Sequence, residues 1–245
     1  MKFIALMLAI TLGYLLQLNY KDIIKEIARY FKNYQDWYGQ KFSSAELSSG
    51  WGGLAMFALV PAVILGLLIH IMSSQWIVLM LLLHILIILV CVVPIDPELV
   101  DVEGEQRDIL PAFNIMEIVS MIFWYFIIGP IGILSVKLLY LSLDNKNLSK
   151  EASLMKFYVN WVPVRLLVLS YALVGNFHGV FNEIGSDYLK NDKNSEELAQ
   201  RAAKSALWPH YEEMEKTQAT VETSALFRRS IICWLAIIAL ISITF

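Results

Sequence analysis

Apolar residues in this chain fall into long uninterrupted runs, not into the short alternation of half-buried strands. Between Glu46 and Asp96 no Asp, Glu, Lys or Arg occurs, and those 49 residues far exceed the roughly 20 that one spanning helix needs. The pattern predicts two helices, GLAMFALVPAVILGLLIHIM and WIVLMLLLHILIILVCVV, joined as a hairpin at Ser73, Ser74 and Gln75. Further apolar segments cover 2 to 18, 115 to 141, 161 to 181 and 230 to 245, with polar stretches between them. The expected fold class is all-α: a polytopic helical membrane protein with about four to six membrane-embedded helices and cytoplasmic amphipathic helices. It forms a single integral membrane domain, 1 to 245, with a polar helical insertion at about 182 to 228.

Two polar stretches carry helical periodicity. YKDIIKEIARYFKNYQDWY puts Ile23, Ile24, Ile27, Tyr30 and Phe31 on one face and charges on the other. Such a helix suits a membrane surface, a soluble partner or the protein's own cytoplasmic portion. In SEELAQRAAKSALWPHYEEMEK, Leu198, Ala202, Ala206 and Leu207 form a stripe that Pro209 ends, and Arg228 and Arg229 mark the membrane surface before the last apolar run. The regions on either side of the hairpin are rich in Lys and Arg, whereas its tip has none; if both regions are cytoplasmic, an even number of crossings separates them, and the hairpin supplies two. Segment 115 to 141 has two readings: one tilted span, or a re-entrant pair broken at Gly129, Pro130 and Gly132. The run MKFIALMLAITLGYLLQL resembles a signal peptide but lacks a small-x-small cleavage site, so it reads as an uncleaved anchor or interfacial helix.

Composition sharpens this picture. The chain is 58% hydrophobic and 17% charged, more apolar than an ordinary soluble domain. A net charge of −3 gives no global basic surface for nucleic acid. Cys91 and Cys233 lie in apolar runs without His or Cys neighbours at ligand spacing, and read as packing residues. His70 and His84 read as core hydrogen-bonding groups, and the Gly175-x-x-x-Gly179 spacing around His178 as close helix packing. No phosphate loop, nucleophile elbow, zinc-protease or dinucleotide motif occurs. No catalytic residue, metal or cofactor is expected.

One charge is out of place. NWVPVRLLVLSYALVGNF carries Arg165 inside an apolar run, where a lone cation needs an anionic partner or a route to water. Asn160 suits an N-cap and Pro163 a first helical turn, which would set Arg165 near the wet end of the helix beside free N–H groups. That pairing suits a phosphate or carboxylate. Asn160, Trp161, Arg165, Tyr171 and Glu117 are therefore the candidate ligand-binding residues. The plainer reading is that Arg165 snorkels to head groups or pairs with a carboxylate, from the loop DPELVDVEGEQRD or from Glu117.

The same stretch, WVPVRLLVLSYALVGNF, with FNIMEIVSMIFWYFIIGPIG and the VET at 221 to 223, resembles the AmpE family across nearly the whole chain. That resemblance implies an inner-membrane regulatory protein that modulates β-lactamase induction or cell-wall recycling. AmpE proteins are similar in turn to the CobD/CbiB membrane synthetases, whose W-x-P-x-R-L stretch Trp161, Pro163, Arg165 and Leu166 match. The synthetases also carry an E-N-T-x-D-G run. Here that place reads PAFNIMEIVS, so the acidic and amide residues are largely missing. A retained anion site without the chemistry implies a non-enzymatic sensor of an anionic small molecule, a wall fragment or nucleotide. The alternatives are a synthetase of the CobD/CbiB type and a scaffold for a soluble cell-wall-recycling amidase.

Overall fold

A computed structural model of the chain describes residues 2–15, 20–42, 50–73, 77–92, 112–190, 195–207 and 216–244. Every regular element among the described residues is helical. They group into two compact units, Met1–Asp101 with Ser120–Lys156, and Val102–Val119 with Phe157–Phe245. Of the acidic loop expected at 94 to 114, residues 94 to 111 with all its carboxylates lie outside the described residues, as does the side chain of His70, and its last three residues are corrected to helix, which begins at Ala112.

The first unit contains α1 (Lys2–Leu15), α2 (Tyr20–Phe42), α3 (Gly50–Leu54), a π-helical segment (Ala55–Leu59), α4 (Val60–Ser73) and α5 (Ile77–Val92). The later part of α6 (Ala112–Ile128) and all of α7 (Pro130–Ser142) complete it. Small residues let α1 lie close on α5: Ala5, Leu6 and Ala9 are buried, while Ile4, Met7 and Leu8 face outward. The hairpin expected from the uncharged run is present as α4 and α5, which pack together. Large apolar side chains stay exposed along it, among them Val63, Ile64, Leu67 and Leu68 on α4 and Val78, Leu82 and Leu86 on α5. The helix Gly50–Ile69 is long and apolar enough to cross a membrane, and so is Ser149–Val174.

The break anticipated in 115 to 141 is real. Gly129 stands between α6 and α7 at φ 85° and ψ −147°, a backbone region open essentially to glycine alone. Pro130 then begins α7, where its missing N–H costs nothing. Gly132 comes so close to the Trp124 carbonyl that a Cβ there could not be accommodated. Residues eight apart on a straight helix would be about 12 Å apart, so the chain turns sharply. Lys2 Nζ donates to the Phe126 carbonyl at 3.0 Å, setting a cation at the negative end of α6.

Helix α2 docks on the first unit's own core through Phe31 of the expected face, which Tyr34 and Tyr38 continue, while Tyr30 departs from it. Tyr30 points outward, 69% exposed. Tyr38 is buried with Phe57, Ala58, Leu138, Leu141 and Leu148, and Phe31, Tyr34 and Phe42 pack against that cluster. The Tyr38 hydroxyl donates to the Gly53 carbonyl at 3.0 Å and the Tyr34 hydroxyl to the Phe57 carbonyl at 2.9 Å. A π segment shifts the helical hydrogen-bond register, and these phenols serve two carbonyls at and within it. Burial, aided by Tyr38, pushes the Tyr34 hydroxyl up to about 12. It stays a neutral donor.

The second unit holds the start of α6, the part of α8 (Ser149–Val174) from Phe157 on, α9 (Phe177–Ile184), α10 (Ser195–Leu207) and α11 (Lys216–Thr244). The helix start expected at Asn160 is corrected: α8 begins eleven residues earlier, and Pro163 lies inside it. A polar turn launches the helix. Asn145 Oδ1 accepts from the Asn147 N–H at 3.0 Å, and Glu151 sits in the first turn, where its charge suits the helix dipole. The span expected at 161 to 181 instead ends at Val174. Asn176 caps α9, its side chain accepting from the Gly179 N–H at 2.9 Å.

Close packing at Gly175 and Gly179 is present, across this break. A Cβ on Gly175 would meet the Ala206 carbonyl at 2.7 Å, and Asn176 N–H donates to that carbonyl at 3.0 Å. The stripe expected on α10 is buried at Leu198, Ala202 and Ala206. The last apolar segment is the continuation of one 29-residue helix, α11. Buried Trp234 on it donates to Ser170 Oγ of α8 at 2.5 Å.

Candidate functional site

Arg165 is 4% exposed on α8. Its Nη1 donates to the Trp161 carbonyl one turn back at 3.0 Å, and its Nη2 to the Lys190 carbonyl at 2.8 Å. The guanidinium carbon lies 4.0 Å from the centre of the Trp161 ring. Stacking on an aromatic face and donating to carbonyls both suit a planar, weakly hydrated cation. Neither acceptor is charged. Arg165 Nε and Trp161 Nε1 are both buried and have no hydrogen-bond partner among the described residues.

A short turn after α9 supplies the second carbonyl. Tyr188 Oη donates to the Arg165 carbonyl at 3.0 Å, pinning the turn on α8. Burial raises the Tyr188 hydroxyl and the positive Arg165 opposes that, leaving it raised and the phenol neutral. Lys190 Nζ reaches Asp187 Oδ1 at 2.9 Å. Arg201 of α10 bridges Glu183 at 2.9 Å and Asp187 at 3.0 Å, and donates to the Glu183 carbonyl at 2.8 Å. Those two carboxylates raise the Arg201 guanidinium further above its ordinary range.

Among Arg165, Glu183, Asp187, Lys190 and Arg201 there are three cations and two carboxylates. Both carboxylates are taken by Arg201 and Lys190, so among these described residues Arg165 is the cation held by carbonyls rather than by a carboxylate. An uncompensated buried ion costs several kcal/mol even after relaxation. Two carbonyls and a ring face offset part of that. An oxyanion would offset more, because bonds between charged partners are roughly twice as strong as neutral ones.

The structure joins two of the five residues singled out from sequence, Trp161 and Arg165. Asn160 and Tyr171 are buried at 2% exposure, but stand about 140° and 120° around α8 from Arg165 at about 100° per residue. Glu117 is buried on α6 and is not a partner of Arg165. The wet end anticipated for Arg165 also has a different origin. No helix N-terminus lies beside it, since α8 continues well upstream. Polar surroundings come from the α9–α10 hairpin, whose Glu183, Asp187, Lys190 and Arg201 gather near the same turn. Sequence reasoning missed Tyr188 and Lys190, although GSDYLKNDKN reads as a turn. Comparison with protein-family models, curated proteins and solved structures returns no match.

Proposed function

We propose that this chain is a polytopic, non-enzymatic regulatory protein of the bacterial inner membrane, of the AmpE kind, that takes an anionic small molecule at Arg165. The observation that carries the reading is a guanidinium 4% exposed that, among the described residues, has no carboxylate partner and keeps a buried Nε without an acceptor. Such a group gains free energy by accepting an anion, and its occupancy would be coupled to the turn that Lys190 and Tyr188 fasten to it. Membrane residence is supported by the exposed apolar surfaces of α4 and α5, far more continuous than water tolerates. Modulation of β-lactamase induction or cell-wall recycling rests on the sequence resemblance around Trp161 to Gly175. Wall fragments and nucleotides are the soluble anions it suggests.

The test is β-lactamase induction in cells lacking the chromosomal copy and carrying either the natural chain or Arg165→Gln at matched membrane levels. The substitution should abolish the chain's effect on induction. Unchanged induction with a normally inserted Arg165→Gln protein would overturn the role of the site.

A further inference from the structure

The apolar surface beside Arg165 narrows the ligand. We propose that the anion is a phosphate carried on a long apolar chain, a lipid head group, and not a freely soluble phosphate; this rests on the anion-site reading above. On α8, Tyr158, Val162 and Leu166 follow one another at four-residue spacing and are 64%, 39% and 38% exposed. Residues so spaced share one helix face. This row passes directly beside Trp161 and Arg165, and no side chain in it can serve a hydrophilic ligand except the Tyr158 hydroxyl.

At its Arg165 end the row meets charge abruptly. Lys190 is exposed there, with Glu183, Asp187 and Arg201 behind it. An apolar strip that runs up to a buried cation held only by carbonyls and a tryptophan ring among the described residues reproduces in one place the layering of a bilayer surface: acyl chains, aromatic girdle, head-group phosphate. A phosphate oxygen lodged there would accept from Arg165 Nε and Trp161 Nε1, the two donors left unused, while the chain lies along Leu166, Val162 and Tyr158. Lys190 Nζ, on an exposed side chain, is placed to supply a second positive charge to the head group. A soluble nucleotide or wall fragment would bring no chain of its own to the strip.

The experiment uses the full chain in phosphatidylcholine nanodiscs, with and without dioleoyl phosphatidic acid, and glycerol 3-phosphate and ATP as soluble phosphates. Binding is read by native mass spectrometry and by ligand-induced change in thermal unfolding. Phosphatidic acid should bind at least about 10-fold more tightly than either soluble phosphate, which corresponds to about 1.4 kcal/mol. Arg165→Gln should remove that preference, Trp161→Phe should weaken it several-fold while keeping the ring, and Val162→Ser with Leu166→Ser should weaken phosphatidic acid alone. Arg165-dependent binding of ATP or glycerol 3-phosphate equal to that of the lipid would overturn the lipid assignment and leave the anion site standing. Absence of Arg165-dependent binding by any of the three would overturn both. Lipid binding unaffected by every variant would be surface adsorption, and would also sink the proposal.

Discussion

The two units bury polar groups in opposite ways. In the first, His84 Nδ1 and the Tyr125 hydroxyl meet at 2.9 Å between α5 and α6, Lys2 covers the carbonyl end of α6, and Tyr34 and Tyr38 serve two carbonyls around the π segment. Ser135 is its one described buried side chain with an atom left over, and a hydroxyl is a small debt. In the second, beside the Ser195 hydroxyl, the described groups left over are a cation and the tryptophan it stacks on. Partnered groups hold helices in register, cations included, as Lys2 on a carbonyl and fully buried Lys137 over the Phe31 ring do, whereas a buried charge with a spare donor suits something not part of the chain. On the function proposed above, the first unit would be framework and the second receptor.

Substitutions at the α6–α7 break test the framework half most severely. Gly129→Ala places a Cβ on a backbone at φ 85°, and the strain should cost about 1–3 kcal/mol. The loss should appear as a lower midpoint in detergent-phase thermal unfolding. A midpoint within the noise of the natural chain would mean that the break is not fixed by Gly129. Ligand recognition by Arg165 should survive, once measured below the new midpoint, because every group that touches the guanidinium belongs to the other unit.

Tyr125→Phe is the next largest. It removes the phenol that His84 meets and leaves a buried imidazole nitrogen without its partner, a loss of about 1–3 kcal/mol by the desolvation of an unmade bond. His84→Leu together with Tyr125→Phe should recover part of that loss, since both ends of the bond are then apolar. If the double variant is as unstable as the sum of the single ones, the pair is not the coupled unit described. Neither variant should shift anion binding, in contrast to Arg165→Gln.

How much of this was legible in sequence follows from what local pattern can carry. The all-helical class, the α4–α5 hairpin and the stripe on α10 came from periodicity and run length. The break at Gly129 was visible as Gly-Pro chemistry in the middle of an apolar run. The error at Asn160 came from reading Asn and Pro as a start signal, which cannot detect that the upstream residues Lys150, Glu151 and Lys156 already belong to the same helix. Tyr30 was assigned inward from hydrophobicity, while the face in use was set by Tyr34 and Tyr38, whose hydroxyls seek carbonyls far away in sequence. Arg165 was found as an anomaly of charge, but its carbonyl partner at Lys190 is 25 residues away, and only the folded hairpin brings it there.

The smallest expected effect also separates the two regions by pH. Burial holds the Tyr34 hydroxyl near 12, above its ordinary value of 10, so the neutral phenol is favoured in the folded state. Stability from this group is fully present below pH 10 and is lost as pH rises through 12, because the unfolded chain releases its proton first. Tyr34 is partly open to solvent, and water screening keeps the effect modest. The contact at stake is that of α2 with the π segment, so alkaline loosening should begin there. Hydrogen exchange at α2 amides, corrected for the intrinsic rise in rate with pH, should increase between pH 10 and 12 relative to α4, and Tyr34→Phe should flatten the change. An equal rise in the Phe variant would assign the loosening to other groups, with Tyr38, also raised by burial, as the first to replace.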